Sequence, residues 1–336
     1  VTSGAADPRS VLDRVRAPDV VVGVSRGGER SYHCGGTAAE PPVAREELAY
    51  ALGSLSKTFT VLLLADLARA GAVRLDDTLA SYLPDTPAGH ARAITLRHLA
   101  THTSGLPRVP RDLVAGALAH PYRNGYAGYG PERLLLALAT ARVRHAPGTR
   151  WHYSNLGVAL LGAALEHAAR APYAELLTRR VLVPLGLTGS TVGPRPGGPA
   201  ATGRRADGRT ALPPSDLAAF TPAGALVATP ADVLTYAEAL IDPPGPAQRD
   251  VLVPQLRRRT PGHRGEVHTL AWYQHPGPGG PLLFHSGATF GQQCFLGFHP
   301  ASRTAVAAFA TRHDRTCAVV GAGYALLREL AAEAAG

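Results

Sequence analysis

Ser54 and Lys57, three residues apart at the head of an apolar run, are the pair in this chain with the clearest capacity for chemistry. On a helix that spacing puts both side chains on one face, one turn from each other. A desolvated ammonium gives up its proton readily, and the amine left behind can take one from a neighbouring hydroxyl. Covalent catalysis by a serine needs such a pair. Lys57 is also the only lysine among the 34 lysine and arginine residues. Arginine is never deprotonated in a protein and cannot act as a base, so a chain this biased towards arginine keeps one amine for a reason. Ser-x-x-Lys strings also arise by chance, with the lysine a surface charge and the serine a helix N-cap. The rest of the chain has to decide.

Three further groups are candidates. Tyr153 and Asn155 lie two apart at a loop-to-helix junction and can point into one cleft, where a phenol beside an ammonium is expected to have a depressed pKa and to shuttle protons. Asparagine is scarce, with Asn124 and Asn155 the only two. His285, Ser286, Gly287 and Ala288 end one strand and turn towards the next. A glycine there removes the side chain that would block a substrate and leaves backbone N–H groups available. His98 and His102 are four apart, but Leu99 stands where a metalloprotease would carry its glutamate and no third ligand is apparent. We read both as structural, and expect no metal and no cofactor. Gly23-Val24-Ser25-Arg26-Gly27 is formally a nucleophile-elbow string. A strand–turn–strand surrounds it rather than the strand–turn–helix an elbow needs, so Ser25 is rejected as a nucleophile.

The elements that must position these residues come in a particular order. A short helix at Val11 to Val15 precedes a hairpin of Val20 to Val24 and Arg30 to Cys34. The helix from Ser54 is expected to bury Leu55, Phe59, Leu62, Leu63 and Leu67 and to stop at Gly71, with its dipole favouring an alkoxide at Ser54. Helical patterns follow at Leu96 to Ala100, Leu113 to Leu118, Pro131 to Thr140, Leu156 to Ala169 and Tyr173 to Val181. Thr229-Pro230-Ala231-Asp232 starts another helix at Val233 to Ile241. Strands return at Thr269 to Gln274, Leu282 to His285, Gln292 to Phe298 and Thr304 to Ala310, and a helix from Ala318 to Ala332 closes the chain. The expected fold is α+β, an antiparallel sheet flanked by helices and built from both chain ends, with an inserted all-helical domain. The division is 1–70 and 216–336 for the sheet domain and 71–215 for the helical one.

With 336 residues and 45% hydrophobic content the chain can bury a large core. Its formal charge of +9 comes from scattered arginines, with Arg257-Arg258-Arg259 the one tight cluster and no interleaved aromatics. Nucleic-acid binding is therefore not expected, and a basic surface, or attraction to an acidic carrier or carboxylate substrate, is. Cys34, Cys294 and Cys317 show no C-x-x-C pairing and are read as three reduced, buried thiols if the protein is cytosolic, with one disulfide plus a free thiol as the alternative. No run is long enough to span a membrane, and Val1 to Arg16 has no apolar h-region, so no signal peptide is expected in the chain as given. The expected location is cytoplasmic if the chain is full length and secreted if Val1 is a processed terminus.

Taken in order, Ser54-x-x-Lys57, Tyr153-Ser154-Asn155 and His285-Ser286-Gly287 resemble the three active-site motifs of the penicillin-recognising serine enzymes: class C β-lactamases, D-Ala-D-Ala carboxypeptidases, and their esterase and transacylase relatives. Leu99 to Leu106, Tyr153 to Gly162, Pro184 to Leu187 and Pro222 to Val227 look similar too. The resemblance implies the fold just described, with the site between the sheet and the helices. It also implies Ser54 as nucleophile, Lys57 with Tyr153 as the pair that deprotonates it (which of the two takes the proton is left open), and Asn155 holding a substrate amide or ester. The N–H groups of Ser54 and Ala288 would form the oxyanion hole, and His285 would replace the more common lysine. Ala288 departs from the pattern, since a hydroxyl that grips a substrate carboxylate is often found there. The implied activity is acyl transfer from a small ester, thioester or amide to water, an amine or alcohol, or a carrier-bound acceptor. The alternatives are a secreted D-Ala-D-Ala carboxypeptidase or class C-like β-lactamase, and a non-catalytic binding module on the same fold.

Overall fold

The structure is a computed structural model and describes residues 6–83, 89–114, 124–195, 197–257, 267–313, 316 and 318–336. Its centre is an eight-stranded antiparallel sheet drawn from both chain ends. The strands are β1 (Val20–Arg26), β2 (Glu29–Gly35), β6 (Leu256–Arg257), β7 (Val267–His268), β8 (Tyr273–Gly277), β9 (Gly280–Ala288), β10 (Gln293–His299) and β11 (Thr304–Ala310), in the order β2-β1-β11-β10-β9-β8-β7-β6. The β1 hairpin and the C-terminal meander meet where Val21 pairs with Phe309 and Val24 with Val306. A second sheet of three short strands, β3 (Tyr50–Ala51), β4 (Thr191–Val192) and β5 (Leu226–Ala228), had no signal in the sequence pattern because each strand is two or three residues long.

Alternation along β1 divides the core. Val20, Val22 and Val24 face a cluster completed by α1 (Arg9–Arg14) and the C-terminal helix α6 (Ala318–Glu333), and Val21 faces the other side. On that other side lie α2 (Ser56–Arg69), α3 (Pro131–Ala139), α4 (Asn155–Ala169) and α5 (Pro230–Ile241). Leu296 and Phe309 of the sheet share one buried cluster with Leu99 and Leu165 of the helical region, so sheet and helices are held by a common core. The helix starting at Pro230 begins as expected, with Thr229 as N-cap accepting from the Asp232 N–H.

Several expectations change. The strand expected at Thr269 to Gln274 is interrupted, because Ala271 adopts a φ of 63° and the chain turns there before β8. Ser54 lies in a 3₁₀ turn, Gly53–Leu55, just ahead of α2 rather than in the helix. α2 is buried nearly all round, Thr58 and Thr60 included, instead of along one apolar stripe. Cys34 is exposed, which corrects its reading as a buried thiol, whereas Cys294 is buried. Cys317, most of the helix expected at Leu113 to Leu118, and Arg258 and Arg259 of the arginine cluster lie outside the described residues. Ser25 is buried and donates to Glu238 Oε1 at 2.6 Å, a structural bond from β1 to α5 and not a nucleophile's setting.

The contact that matters most for function is between β9 and the Gly53–Leu55 turn. A Cβ at Gly287 would overlap the Leu52 carbonyl oxygen, and one at Gly53, whose φ is 48°, would lie 2.5 Å from the Ala288 oxygen. Two glycines thus let strand and turn touch backbone to backbone. We expect Gly287→Ala to destabilise the fold by about 1–3 kcal/mol in urea denaturation. The same change at Gly321, in α6 with nothing within 4 Å of the added Cβ, should stabilise by about 0.5–1 kcal/mol. Equal effects at the two sites would contradict the close approach of β9.

Candidate functional site

The 3₁₀ turn and the first turn of α2 bring Ser54 Oγ and Lys57 Nζ to 3.0 Å. Lys57 has no exposed surface, and its Nζ also donates to the Ala223 carbonyl at 2.6 Å. That carbonyl is placed by Pro222, which packs so closely on α4 that a Cβ at Gly162 would overlap the proline ring. Among the described residues no carboxylate bonds to the amine. Burial, and then the positive charge of Arg108, push Lys57 well below its ordinary value of 10.5. A neutral amine can make both contacts, giving one N–H to Ala223 O and another to Ser54 Oγ.

Tyr153 lies beside this pair. Lys57 Nζ is 5.0 Å from its ring centroid, and the phenol is near enough to Ser54 for the serine hydroxyl to act on its pKa. The depressed pKa expected for the phenol is not found. Burial raises it to about 12, and the opposing pulls of Ser54 and Arg108 are smaller. The reason is that the neighbouring amine is itself driven neutral, so no ammonium is there to stabilise a phenolate.

A set of backbone hydrogen bonds joins the loop after Thr101 to the segment before α4. Arg144 N donates to Gly105 O (2.9 Å), Gly148 N to Thr103 O (2.8 Å), His152 N to His102 O (2.7 Å) and Asn155 N to Arg108 O (2.8 Å). Ser154 caps α4, accepting from Gly157 N at 2.9 Å. His102, at a φ of 56°, accepts the Ser154 N–H on Nδ1 and lays its ring against Tyr153, at 4.5 Å between centroids. His98 completes a capping box with Thr95. Both histidines therefore do structural work in the loops that aim Tyr153 and Asn155.

The cavity over Ser54 has a volume of about 560 Å³. Asn155 lines it, with Nδ2 donating to Tyr126 Oη at 3.3 Å and Oδ1 buried without a partner. The backbone of Ala288 forms part of the wall. Thr289 N donates to Gln292 O, and hydrogen-bonded pairs alternate along an antiparallel ladder, so the Ala288 N–H turns away from β10 towards the edge where Gly53 and Ser54 sit. His285 is not part of the cavity wall. It is 2% exposed, its Nδ1 bonds the Ser286 carbonyl at 2.7 Å, and burial above all lowers its pKa to about 3. The Ser286 side chain shares the strand face of Phe284, which packs on Tyr324 of α6, so it points away from Ser54. Of the third motif, then, Gly287 and Ala288 reach the site through their backbone, His285 lies beneath it, and the Ser286 hydroxyl takes no part.

Sequence reasoning missed Arg108, Tyr126 and the Ala223 carbonyl. Arg108 stands over the Tyr153 ring at 5.2 Å and lines the cavity. None of the three carries a spacing signal, since each depends on one loop meeting another.

The comparisons with known proteins agree with this geometry. A family model described as Beta-lactamase matches residues 9–329. The chain is 37% identical over 148 residues to the D-alanyl-D-alanine-carboxypeptidase/endopeptidase AmpH of Escherichia coli (strain K12), which is 43% of this chain and 37% of that protein, so the match spans little more than a third of that relative's length. Among solved structures it is similar to a class C beta lactamase from Rhodobacter sphaeroides (TM-score 0.80, 24% identity, 95% of this chain and 96% of the other). It is also similar to a D-stereospecific amidohydrolase from Streptomyces sp. (TM-score 0.74, 22% identity, 93% and 97%). At those identities the two structures show the fold, which is the α+β arrangement expected from the sequence. No helix among the described residues is long and apolar enough to cross a membrane.

Lys57 holds its proton more weakly folded than unfolded. Between the lowered pKa and 10.5 the unfolded chain binds more protons, and stability rises with pH. The difference in stability between wild type and Lys57→Met should therefore move in favour of wild type as pH is raised from about 7 to 10. Urea curves whose separation is constant across that range would show that the amine is not buried neutral.

Proposed function

We propose that this chain, which belongs to the beta-lactamase family, is a serine acyl-enzyme hydrolase or transacylase acting on a small ester, thioester or amide. The observation that carries the reading is the 3.0 Å contact between Ser54 Oγ and an amine with no exposed surface. Neutral in the free enzyme, Lys57 takes the serine proton as Oγ attacks the substrate carbonyl. The phenol of Tyr153, held protonated by burial, lies beside Ser54 and is placed to pass a proton to the leaving group. The oxyanion forms between the N–H groups of Ser54 and Ala288, where charge developing in the transition state meets fixed dipoles. The unpartnered Asn155 Oδ1 accepts from a substrate amide N–H. Water, an amine or an alcohol then attacks the acyl-Ser54 ester, and the same two groups run the proton transfers in reverse.

A second reading, a D-Ala-D-Ala carboxypeptidase, is favoured by the likeness to a carboxypeptidase/endopeptidase. Against it, the cavity around Ser54 is walled by Val109, Leu113, Leu217, Phe220 and Phe290, and Ala288 offers no hydroxyl for a terminal carboxylate.

Intact-protein mass spectrometry with a fluorophosphonate and a penicillin should show one adduct, lost in Ser54→Ala. An adduct that persists would remove Ser54 as nucleophile. Lys57→Arg keeps the charge without the base and should lower turnover of a phenyl ester by about 10²–10⁴-fold; activity within a few-fold of wild type would end its role as base. Tyr153→Phe should lower the rate while leaving the midpoint of the pH–rate profile between pH 5 and 9 in place. A shifted midpoint would make the phenol, not the amine, the titrating base.

A further inference from the structure

A second, larger depression of about 940 Å³ adjoins the Ser54 cavity and shares Arg108, Val109 and Val114 with it. Its walls carry the guanidinium groups of Arg108, Arg111, Arg142 and Arg144. No ion pair or side-chain hydrogen bond engages any of these four among the described residues. The one acid in the described lining, Asp112, is taken by Arg133, whose Nη2 and Nε lie 2.7 and 3.0 Å from its Oδ2. The crowding of positive charge is real on the scale of the groove: His152, also in its wall, is pushed below its ordinary pKa by burial and then by Arg144, His145 and Arg108. Four like charges gathered without an acid repel one another, and a bound anion relieves that repulsion.

The arrangement is held by backbone and not by side-chain chance. The bonds from Arg144 N to Gly105 O and from Asn155 N to Arg108 O tie the two arginine-bearing loops together. Gly105, at a φ of 75°, has no room for a Cβ beside the His145 carbonyl. Leu136, 61% exposed, and Val114, 46% exposed, add apolar surface to the same groove. An occupant that suits both depressions has an apolar part beside Ser54 and a multiply charged anionic part beyond Arg108.

Resting on the acyl-enzyme reading above, we infer that this arginine-lined groove receives a phosphate-class anionic handle of the substrate whose acyl group reaches Ser54. Guanidinium forks match phosphate oxygens in bidentate fashion, and several of them together suit a doubly or more highly charged group better than a single carboxylate. Arg108, between the two depressions, is then the residue that selects for the handle.

Two readouts test this. Calorimetric titration of the Ser54→Ala protein with pyrophosphate should show saturable 1:1 binding, weakened at least about tenfold by Arg142→Gln/Arg144→Gln and by raising the salt from 50 to 200 mM. No saturable binding, or a double variant that binds as tightly, would overturn the site. In wild type, 4-phosphonobutanoyl is compared with butanoyl phenyl ester, and butanoyl coenzyme A with butanoyl pantetheine. The first pair places the handle on the acyl side and the second on the leaving group. A preference of about tenfold or more in kcat/KM for the phosphate-bearing member of one pair, lost in the double variant, would identify that side. Pyrophosphate binding with no preference in either pair would make the groove an adventitious anion site and overturn the handle. If pyrophosphate binds but none of the four substrates turns over, it is the acyl-enzyme reading that fails, and the handle with it, while the anion affinity of the groove stands.

Discussion

The site rests on one unfavourable burial: an amine carried into the interior with no carboxylate to balance it. Burying an ammonium unpaired costs several kcal/mol, and the group escapes the cost by losing its proton. That makes Lys57 suited to the part of a base rather than of a counter-ion. Everything around it maintains the condition. α2 is enclosed on nearly all sides. Among the described residues, the one acceptor given to Nζ besides the serine is a neutral carbonyl, Ala223 O. The nearest charge, Arg108, is positive and reinforces the neutral state. A carboxylate in place of that carbonyl would make an ion pair and abolish the base.

The same burial sets the state of its neighbours. With the amine neutral, Tyr153 has no cation to support a phenolate, and its desolvated ring keeps the proton. His285 and His102 are likewise lowered chiefly by burial. The phenol and the two histidines below Ser54 are therefore uncharged at neutral pH, and burial pulls the amine towards the same state. In such surroundings the backbone dipoles at Ser54 and Ala288 would act on the oxyanion of the proposed reaction with little screening. Their alignment depends on two absent side chains, at Gly53 and Gly287, which let the turn and the strand edge touch.

Much of this was legible in the residues. The lone lysine three positions after a serine identified the pair, and the hairpin, the helix starting at Pro230, β10, β11 and the closing helix followed from periodicity and capping. Spacing alone was misleading where burial overrides it. The phenol beside Lys57 reads as a depressed pKa if the amine is imagined charged, and only enclosure shows that it is not. The His285-Ser286-Gly287 string reads as three groups facing a cleft. Strand alternation and the fit against Leu52 turn His285 under the floor and the Ser286 side chain to the far face, leaving the glycine and the following N–H. The three-stranded sheet was invisible because its strands are too short to show a period.

The sequence by itself determined which residues can exchange protons and which faces of which elements must be buried, because residue type and local spacing are properties of the chain. Tertiary structure decided which of those groups stay uncharged, which polar atoms are left unpartnered, and where the arginines of two distant loops converge. These depend on what excludes water from a site and on which backbone passes beside it. Both are set by segments as far apart in the chain as Lys57 and Ala223, or Gly53 and Ala288, and no local pattern records their meeting.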